Sequence, residues 1–225
     1  MIENSEILIC EQRVDLFFCS ISDFHRDSKE EIHKNNDTLR GNPHKPRNML
    51  SLQTITGKLL LDYALRKRGL NSATSQVTTG RYGKPELVKK DFEFNISHDN
   101  DLIVLAVHET IPVGVDVMKR NNVDFDGDVV RVFSTENEWN SLYKGALEDQ
   151  PENSLRLFTA KEAAVKAIGK GFHVNPCELE FGRCPKQNSI SRVEFEEKTI
   201  IVASDVNWPY PEYLLSCALD LTCEK

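Results

Sequence analysis

An aspartate set among valines, a glutamate and a lysine four residues apart, and a serine beside a histidine are the groups through which this chain could do chemistry. Asp116 stands in Val113-Gly114-Val115-Asp116-Val117. Glu162 and Lys166 stand in Lys161-Glu162-Ala163-Ala164-Val165-Lys166. Ser97 and His98 close Phe94-Asn95-Ile96-Ser97-His98. Together they offer one acid for a divalent cation, a second acid for cation or base work, and cationic groups for phosphates. That is the set phosphoryl transfer draws on.

Taken singly, each has a plain alternative. Asp116 could be an acid facing water from an amphipathic strand, or a cation ligand on a strand that buries Val113, Val115 and Val117 on the other face. Glu162 and Lys166 share a helix face and could be a surface ion pair. The apolar residues around them favour a largely buried helix, where such charges need partners. Ser97 and His98 could be ordinary turn residues, or hydrogen-bond donors to a diphosphate. His44, Lys45 and Arg47 form a basic cluster ahead of a helix, suited to a phosphate. The histidines at 25, 33, 44, 108 and 173 have no metal-ligand spacing, and no nucleophilic triad is evident.

The elements that must position these groups follow from pattern. Strands are expected at Ile7–Cys10 and Val14–Ile21, followed by a long polar loop over 23–47. A helix is expected from about Asn48 to Arg68, burying Leu52, Ile55, Leu59 and Tyr63 and stopping at Gly69. Gly83-Lys84-Pro85 reads as a turn. Phe92–Ile96 and Leu102–Val107 read as a hairpin, and Val113–Val117 as the next strand. Thr135 and Glu138 form a capping box ahead of a helix reaching Leu147. Pro151-Glu152-Asn153 reads as a break, and a helix then runs from about Ser154 to Ile168. Short strands are expected near Leu179–Phe181, Arg192–Phe195, Thr199–Val202 and Tyr213–Leu219. The expected fold is α+β, with two similar halves, 1–111 and 112–225. Each half packs helices on a mainly antiparallel sheet, and the active site lies between them.

Composition sets the bounds. The 225 residues are 40% hydrophobic and 28% charged, with a net charge of −7. Such a balance suits a soluble globular protein and argues against a dedicated nucleic-acid binder. No apolar run reaches membrane-spanning length, and Glu3 and Glu6 interrupt the N-terminus where a signal peptide would be apolar. The six cysteines make no Cys-x-x-Cys pair, so buried free thiols and a cytoplasmic setting are the expectation.

The runs also come in a telling order: Tyr-Gly-Lys-Pro, Phe-Asn-Ile-Ser-His, Val-Gly-Val-Asp-Val, Phe-Ser-Thr with a following Glu-Trp, then Phe-x-x-Lys-Glu-Ala-x-x-Lys-Ala-x-Gly-x-Gly. In that order and spacing, from about residue 47 to 182, the chain resembles the 4′-phosphopantetheinyl transferases of the Sfp type. The variant Gly-Val-Asp-Val-Met-Lys looks closest to the eukaryotic branch that activates aminoadipate reductase and fatty acid synthase. The resemblance implies transfer of the phosphopantetheine arm of coenzyme A to a serine of an apo acyl or peptidyl carrier protein, with release of 3′,5′-ADP, by a magnesium-dependent monomer. It implies that Asp116 and Glu162 hold the metal, that Glu162 helps remove the serine proton, and that Lys166 neutralises phosphate charge. Arg47, Lys84, Pro85, Ser97, His98, Lys161 and Lys166 would line the coenzyme A site, with Lys58 second to Arg47 for the 3′-phosphate. The rival readings are a non-catalytic protein that binds coenzyme A or a carrier, and a magnesium-dependent nucleotide diphosphate hydrolase.

Three positions depart from that family's pattern. Met118 stands where many members carry an acid, Phe158 where tryptophan is common, and the stretch 133–139 carries one extra residue around Glu138. A thioether is a poor magnesium ligand, so water or substrate oxygen would fill the place of the acid.

Overall fold

The computed structural model describes residues 1–23, 49–71, 74–120, 127–143 and 150–224. The polar stretch around the 23–47 loop, Arg47 included, therefore lies almost wholly outside the described residues, as do Ala146 and Leu147.

Alternating apolar residues build two antiparallel sheets. The first contains β1 (Glu3–Ile9), β2 (Gln12–Ser20), β5 (Glu93–Asp99) and β6 (Leu102–His108), in the order β1-β2-β6-β5. A two-stranded ribbon, β3 (Val77–Thr79) with β4 (Pro85–Leu87), precedes β5. The second sheet contains β7 (Val113–Lys119), β8 (Ser189–Phe195), β9 (Lys198–Ser204) and β10 (Tyr213–Asp220), in the order β7-β10-β9-β8. The 19-residue helix α1 (Met49–Lys67) covers the first sheet. Two short helices, α2 (Gly127–Phe133) and α3 (Glu136–Tyr143), follow β7. The 19-residue helix α4 (Gln150–Ile168) covers the second sheet. The architecture is α+β, as expected.

Layering follows from which faces are apolar. Ile9, Val14, Leu16, Phe18, Val104 and Ala106 of the first sheet share one buried cluster with Val113, Val115, Val117, Leu215 and Cys217 of the second. The two sheets thus pack against each other. Their opposite faces carry α1 and α4, which gives the order helix, sheet, sheet, helix. Among the described residues no helix is long and apolar enough to cross a membrane.

Four local expectations are corrected. In α1 the buried stripe is Thr56, Leu60, Leu61, Ala64 and Leu65, while Ile55 is 39% exposed. Three consecutive leucines make the phase ambiguous, and tertiary contact selects the stripe containing Gly57, where a Cβ would lie 3.5 Å from Ile96. Pro151-Glu152-Asn153 does not break the chain but forms the first turn of α4. Proline is tolerated there because first-turn N–H groups have no helical partner. Leu179–Phe181 forms no strand: the Phe181 N–H donates to Glu138 Oε1 at 2.8 Å, so its backbone is spent on a side chain. Among the cysteines, Cys19 and Cys217 are buried free thiols, but Cys10 is exposed and Cys177 and Cys184 are half-buried. The β3–β4 ribbon and α2 have no counterpart in the pattern reading.

Candidate active site between the two sheets

The site grows out of the seam where β5 meets β7. These are edge strands of different sheets, and no backbone ladder joins them. Side chains of β5 take over that role. Asn95 Oδ1 accepts the Val115 N–H at 3.0 Å, Ser97 Oγ the Val117 N–H at 3.4 Å, and Asp99 Oδ2 the Lys119 N–H at 2.7 Å. Because side chains alternate along a strand, Asn95, Ser97 and Asp99 all face β7. Two edges are closed and the donors of β7 are satisfied. The pattern reading gives Asn95 and Asp99 no role, although polar residues at i, i+2 and i+4 of a strand are the sequence mark of such a seam.

The same seam places the chemistry. Asp116 is 6% exposed. Its Oδ1 accepts from Ser97 Oγ at 2.9 Å and from Lys166 Nζ at 2.5 Å, and Lys166 Nζ also lies 3.1 Å from Ser97 Oγ. The structure therefore brings Asp116, Ser97 and Lys166 into one knot. Asp116 Oδ2 is buried and has no hydrogen-bond partner among the described residues. A buried carboxylate oxygen left bare is costly, and its retention points to a missing cationic partner. Glu162 stands beside the knot. Burial first, and then the charge of Asp116, raise its carboxyl pKa, while Lys166 acts against them. Lys166 pairs with Asp116 and not with Glu162, so Glu162 keeps its carboxylate for something else.

Helix α4 reaches this seam because of one residue. A Cβ on Gly114 would collide with the carbonyl oxygen of Ala163 and the nitrogen of Ala167, and would sit 2.9 Å from the carbonyl carbon of Lys166. Only glycine lets the helix backbone lie against β7. At its other end α4 is tied down by Asp205, which is 1% exposed. Arg156 Nε donates to Asp205 Oδ2 at 3.0 Å, and Arg120, just beyond β7, donates to Asp205 Oδ1 at 2.6 Å.

The remaining site candidates scatter. Lys84 and Pro85 line a cavity of about 600 Å³ with Tyr82, Asn95, Glu162 and Lys166. His98 projects from the opposite face of β5 to Ser97, into a second hollow shared with Lys58 and Pro85. Ser97 and His98 do not converge as a pair. Partial burial and the nearby Lys166 lower the His98 pKa, which disfavours the charged ring.

Lys161 is corrected as a direct coenzyme A contact. Its side chain is 1% exposed, and its ammonium pairs with the buried Glu138 at 2.7 Å and donates to Pro176 O at 2.8 Å. Glu138 also accepts from Thr135 N at 2.8 Å, which completes the expected capping box with Thr135 Oγ1. Positions 161 and 162 point to different sides of α4, which spacing alone does not separate when the residues beside them are apolar. Glu138→Ala should cost about 3 kcal/mol, because it leaves the Lys161 charge buried and alone. Glu138→Ala with Lys161→Met should recover part of the loss in urea unfolding, and additive losses would show that the pair does not act as a unit.

Lys84 gives a pH prediction. Burial pulls its pKa down from 10.5 to about 8, against the pull of Glu93 and Glu86. Between those values the unfolded chain holds a proton that the folded chain has released, so stability at this group rises with pH. The burial cost stands in full below the window. Wild-type protein should thus gain about 1–3 kcal/mol over Lys84→Met from pH ~8 to ~10. Urea unfolding at each pH reads this, and a constant difference would contradict it.

The residues fit a hard divalent cation: a bare buried carboxylate oxygen, a second free carboxylate and a cavity for a charged ligand. Magnesium takes one or two carboxylates and completes its shell with water and phosphate oxygens. A cage made entirely of protein is not expected, and among the described residues no cluster of three or more His, Cys, Asp or Glu side chains exists. Two edge strands joined through side chains, with an acid–lysine–acid group at the join, offer the kinds of group that phosphoryl transfer uses.

Comparison with known proteins sharpens that class. Residues 112–218 match the 4′-phosphopantetheinyl transferase superfamily. Over 123 residues the chain is 32% identical to the 4′-phosphopantetheinyl transferase gsp of Aneurinibacillus migulanus, covering 54% of this chain and 50% of that protein. Over 134 residues it is 33% identical to the L-aminoadipate-semialdehyde dehydrogenase-phosphopantetheinyl transferase of Xenopus laevis, covering 55% and 43%. A 4′-phosphopantetheinyl transferase of Bacillus subtilis is 31% identical over 121 residues, covering 53% of each. The chain spans about half the length of the curated relatives it matches. The motif reading agrees with these matches: residues 112–218 are similar to the 4′-phosphopantetheinyl transferase superfamily, and relatives bearing that name align with just over half of the chain.

Proposed function

We propose that this protein transfers the 4′-phosphopantetheine arm of coenzyme A to the serine hydroxyl of an apo carrier protein and releases 3′,5′-ADP. The observation that carries the reading is the bare Asp116 Oδ2 beside Glu162 and Lys166, on the segment that matches the superfamily. In the reaction the serine oxygen forms a bond to the phosphorus that bears pantetheine. The bond from that phosphorus to the bridging oxygen of the diphosphate breaks, and the electron pair leaves with 3′,5′-ADP. The serine proton goes to Glu162, directly or through one water. Burial raises its pKa and so makes it a stronger base than a carboxylate in water.

Asp116 and Glu162 would hold magnesium, which when bound supplies positive charge against the diphosphate. Lys166 adds a second positive charge at the same place. Ser97 fixes the Asp116 rotamer by donating to Oδ1, which leaves Oδ2 buried without a hydrogen-bond partner. Catalysis of this kind is mostly positioning and charge neutralisation. Lys84, Pro85 and His98 line the hollows on either side of the seam and would bound coenzyme A. The acceptor is a carrier domain, with those of aminoadipate-type reductases and fatty acid synthases the first to try, since a relative named for aminoadipate-semialdehyde dehydrogenase is among the matches.

The test is to incubate the protein with coenzyme A, magnesium and an apo carrier, and to weigh the carrier intact. One phosphopantetheine on the carrier serine, abolished by EDTA, is expected. Coenzyme A binding with no transfer to any of several carriers would favour a non-catalytic binder. Cleavage of coenzyme A without a carrier would favour a hydrolase.

A further inference from the structure

The Lys84 side chain points where a phosphate ligand should not. Its ammonium donates to two backbone carbonyls, Val113 O at 2.9 Å and Lys166 O at 2.9 Å. Val113 opens the strand that carries Asp116, and Lys166 stands in the last turn of α4. The last turn of a helix leaves carbonyls without helical partners, and a cation there also meets the negative end of the helix dipole. A lysine reaching in from the loop between β3 and β4 fills that need across the seam.

Two further contacts join the same loop to the turn after α4. The Tyr82 ring lies 5.1 Å from the ring of His173, and the Tyr82 carbonyl oxygen would lie 3.4 Å from a Cβ on Gly171. The aliphatic stem of Lys84 would lie 3.5 Å from a Cβ on Gly169. The loop is closed on itself by Gly80 N to Lys84 O at 2.8 Å and Gly83 N to Gly80 O at 3.0 Å. It is therefore a small rigid tip, and one side of the cavity that contains Glu162 and Lys166 is made of it.

We infer that Lys84 is a positioning residue: its ammonium latches the 80–84 loop to β7 and α4, and so sets the wall of the cleft and the place of Lys166. Its stem lines the cavity, but its charge is spent on the protein. The neutral amine has two N–H donors and serves the same two carbonyls, so the latch does not depend on the charge. The inference deepens the proposed function and rests on it for the kinetic test only.

The test compares wild type with Lys84→Met and Lys84→Arg by amide hydrogen exchange, coenzyme A affinity and transfer kinetics. In Lys84→Met, exchange in 80–85 and 169–173 should become about tenfold faster while the sheets keep their protection. The KM for coenzyme A should rise about tenfold and kcat change less, with the dependence of affinity on salt unaltered. Lys84→Arg, which keeps donors for both carbonyls, should recover much of both effects. Unchanged exchange in the two segments, or a shallower salt dependence, would overturn the latch and make Lys84 a phosphate ligand. If the wild type neither binds coenzyme A nor transfers, the proposed function fails and the exchange measurement still decides the latch. If Lys84→Met does not fold, wild-type protein labelled with ¹⁵N-lysine decides: slowly exchanging Lys84 Nζ protons are expected, and rapidly exchanging ones would overturn the inference.

Discussion

Asp116→Asn should lower phosphopantetheine transfer about a thousandfold and leave the fold intact, since electrostatic stabilisation at the reacting phosphate is the largest single contribution. The substitution keeps shape. The amide oxygen can still accept from Ser97 and Lys166 where Oδ1 does now. The amide nitrogen takes the place of the bare Oδ2 and turns two hydrogens toward the space a cation would fill. Lys166 loses its charged partner but is 26% exposed, so the stability cost should be about 1 kcal/mol. Single-turnover transfer and thermal unfolding separate the two effects. Manganese binding followed by electron paramagnetic resonance gives a readout independent of turnover, and it should weaken in parallel. Activity within tenfold of wild type in a protein that melts normally would remove Asp116 from the site. Glu162→Gln should behave alike if the two acids share one ion.

Among the described glycines, Gly114→Ala should be the most damaging added methyl. Its Cβ would meet backbone atoms of Ala163, Lys166 and Ala167, none of which can rotate away. Helix α4 would have to lift from β7, and overpacking of this kind costs about 3 kcal/mol or more. Helix α4 is held to the rest of the protein elsewhere by the Arg156–Asp205–Arg120 clamp, so the movement would concentrate near Glu162 and Lys166. The expected result is a protein that is either insoluble or folded with a lowered urea midpoint and transfer reduced beyond what its unfolded fraction explains. Gly69→Ala is the control. Its φ is +71° and nothing lies within 4 Å of the added methyl, so it should show only the modest strain of a left-handed turn. Equal stability of Gly114→Ala and wild type would mean that the helix does not depend on this close approach.

The sequence by itself determined most strands of the two main sheets, because alternation of apolar residues is a local property. Phe92–Ile96, Leu102–Val107 and Val113–Val117 read as strands, and strands run over Glu93–Asp99, Leu102–His108 and Val113–Lys119, so that Ser97 and His98, read as turn residues, lie within a strand. It also determined the chemical inventory, since few other residues could do what Asp116, Glu162 and Lys166 do, and their order carried the resemblance to a transferase family. The capping box of Thr135 and Glu138 was local as well and formed as written.

Tertiary structure decided what depends on partners far along the chain. Which face of α1 is buried, how Lys161 and Glu162 part company on one helix, and that the Lys84 ammonium ends on two carbonyls are all set by groups 23 to 82 residues away or by the sheet beneath. Side chains on adjacent helix positions differ by about 100° in direction, and no local pattern says which of them will meet solvent when every neighbour is apolar. Asp116 shows the division most plainly. Its type and strand were legible, but that one oxygen is tied by Ser97 and Lys166 while the other stays bare follows only from the two sheets meeting edge to edge.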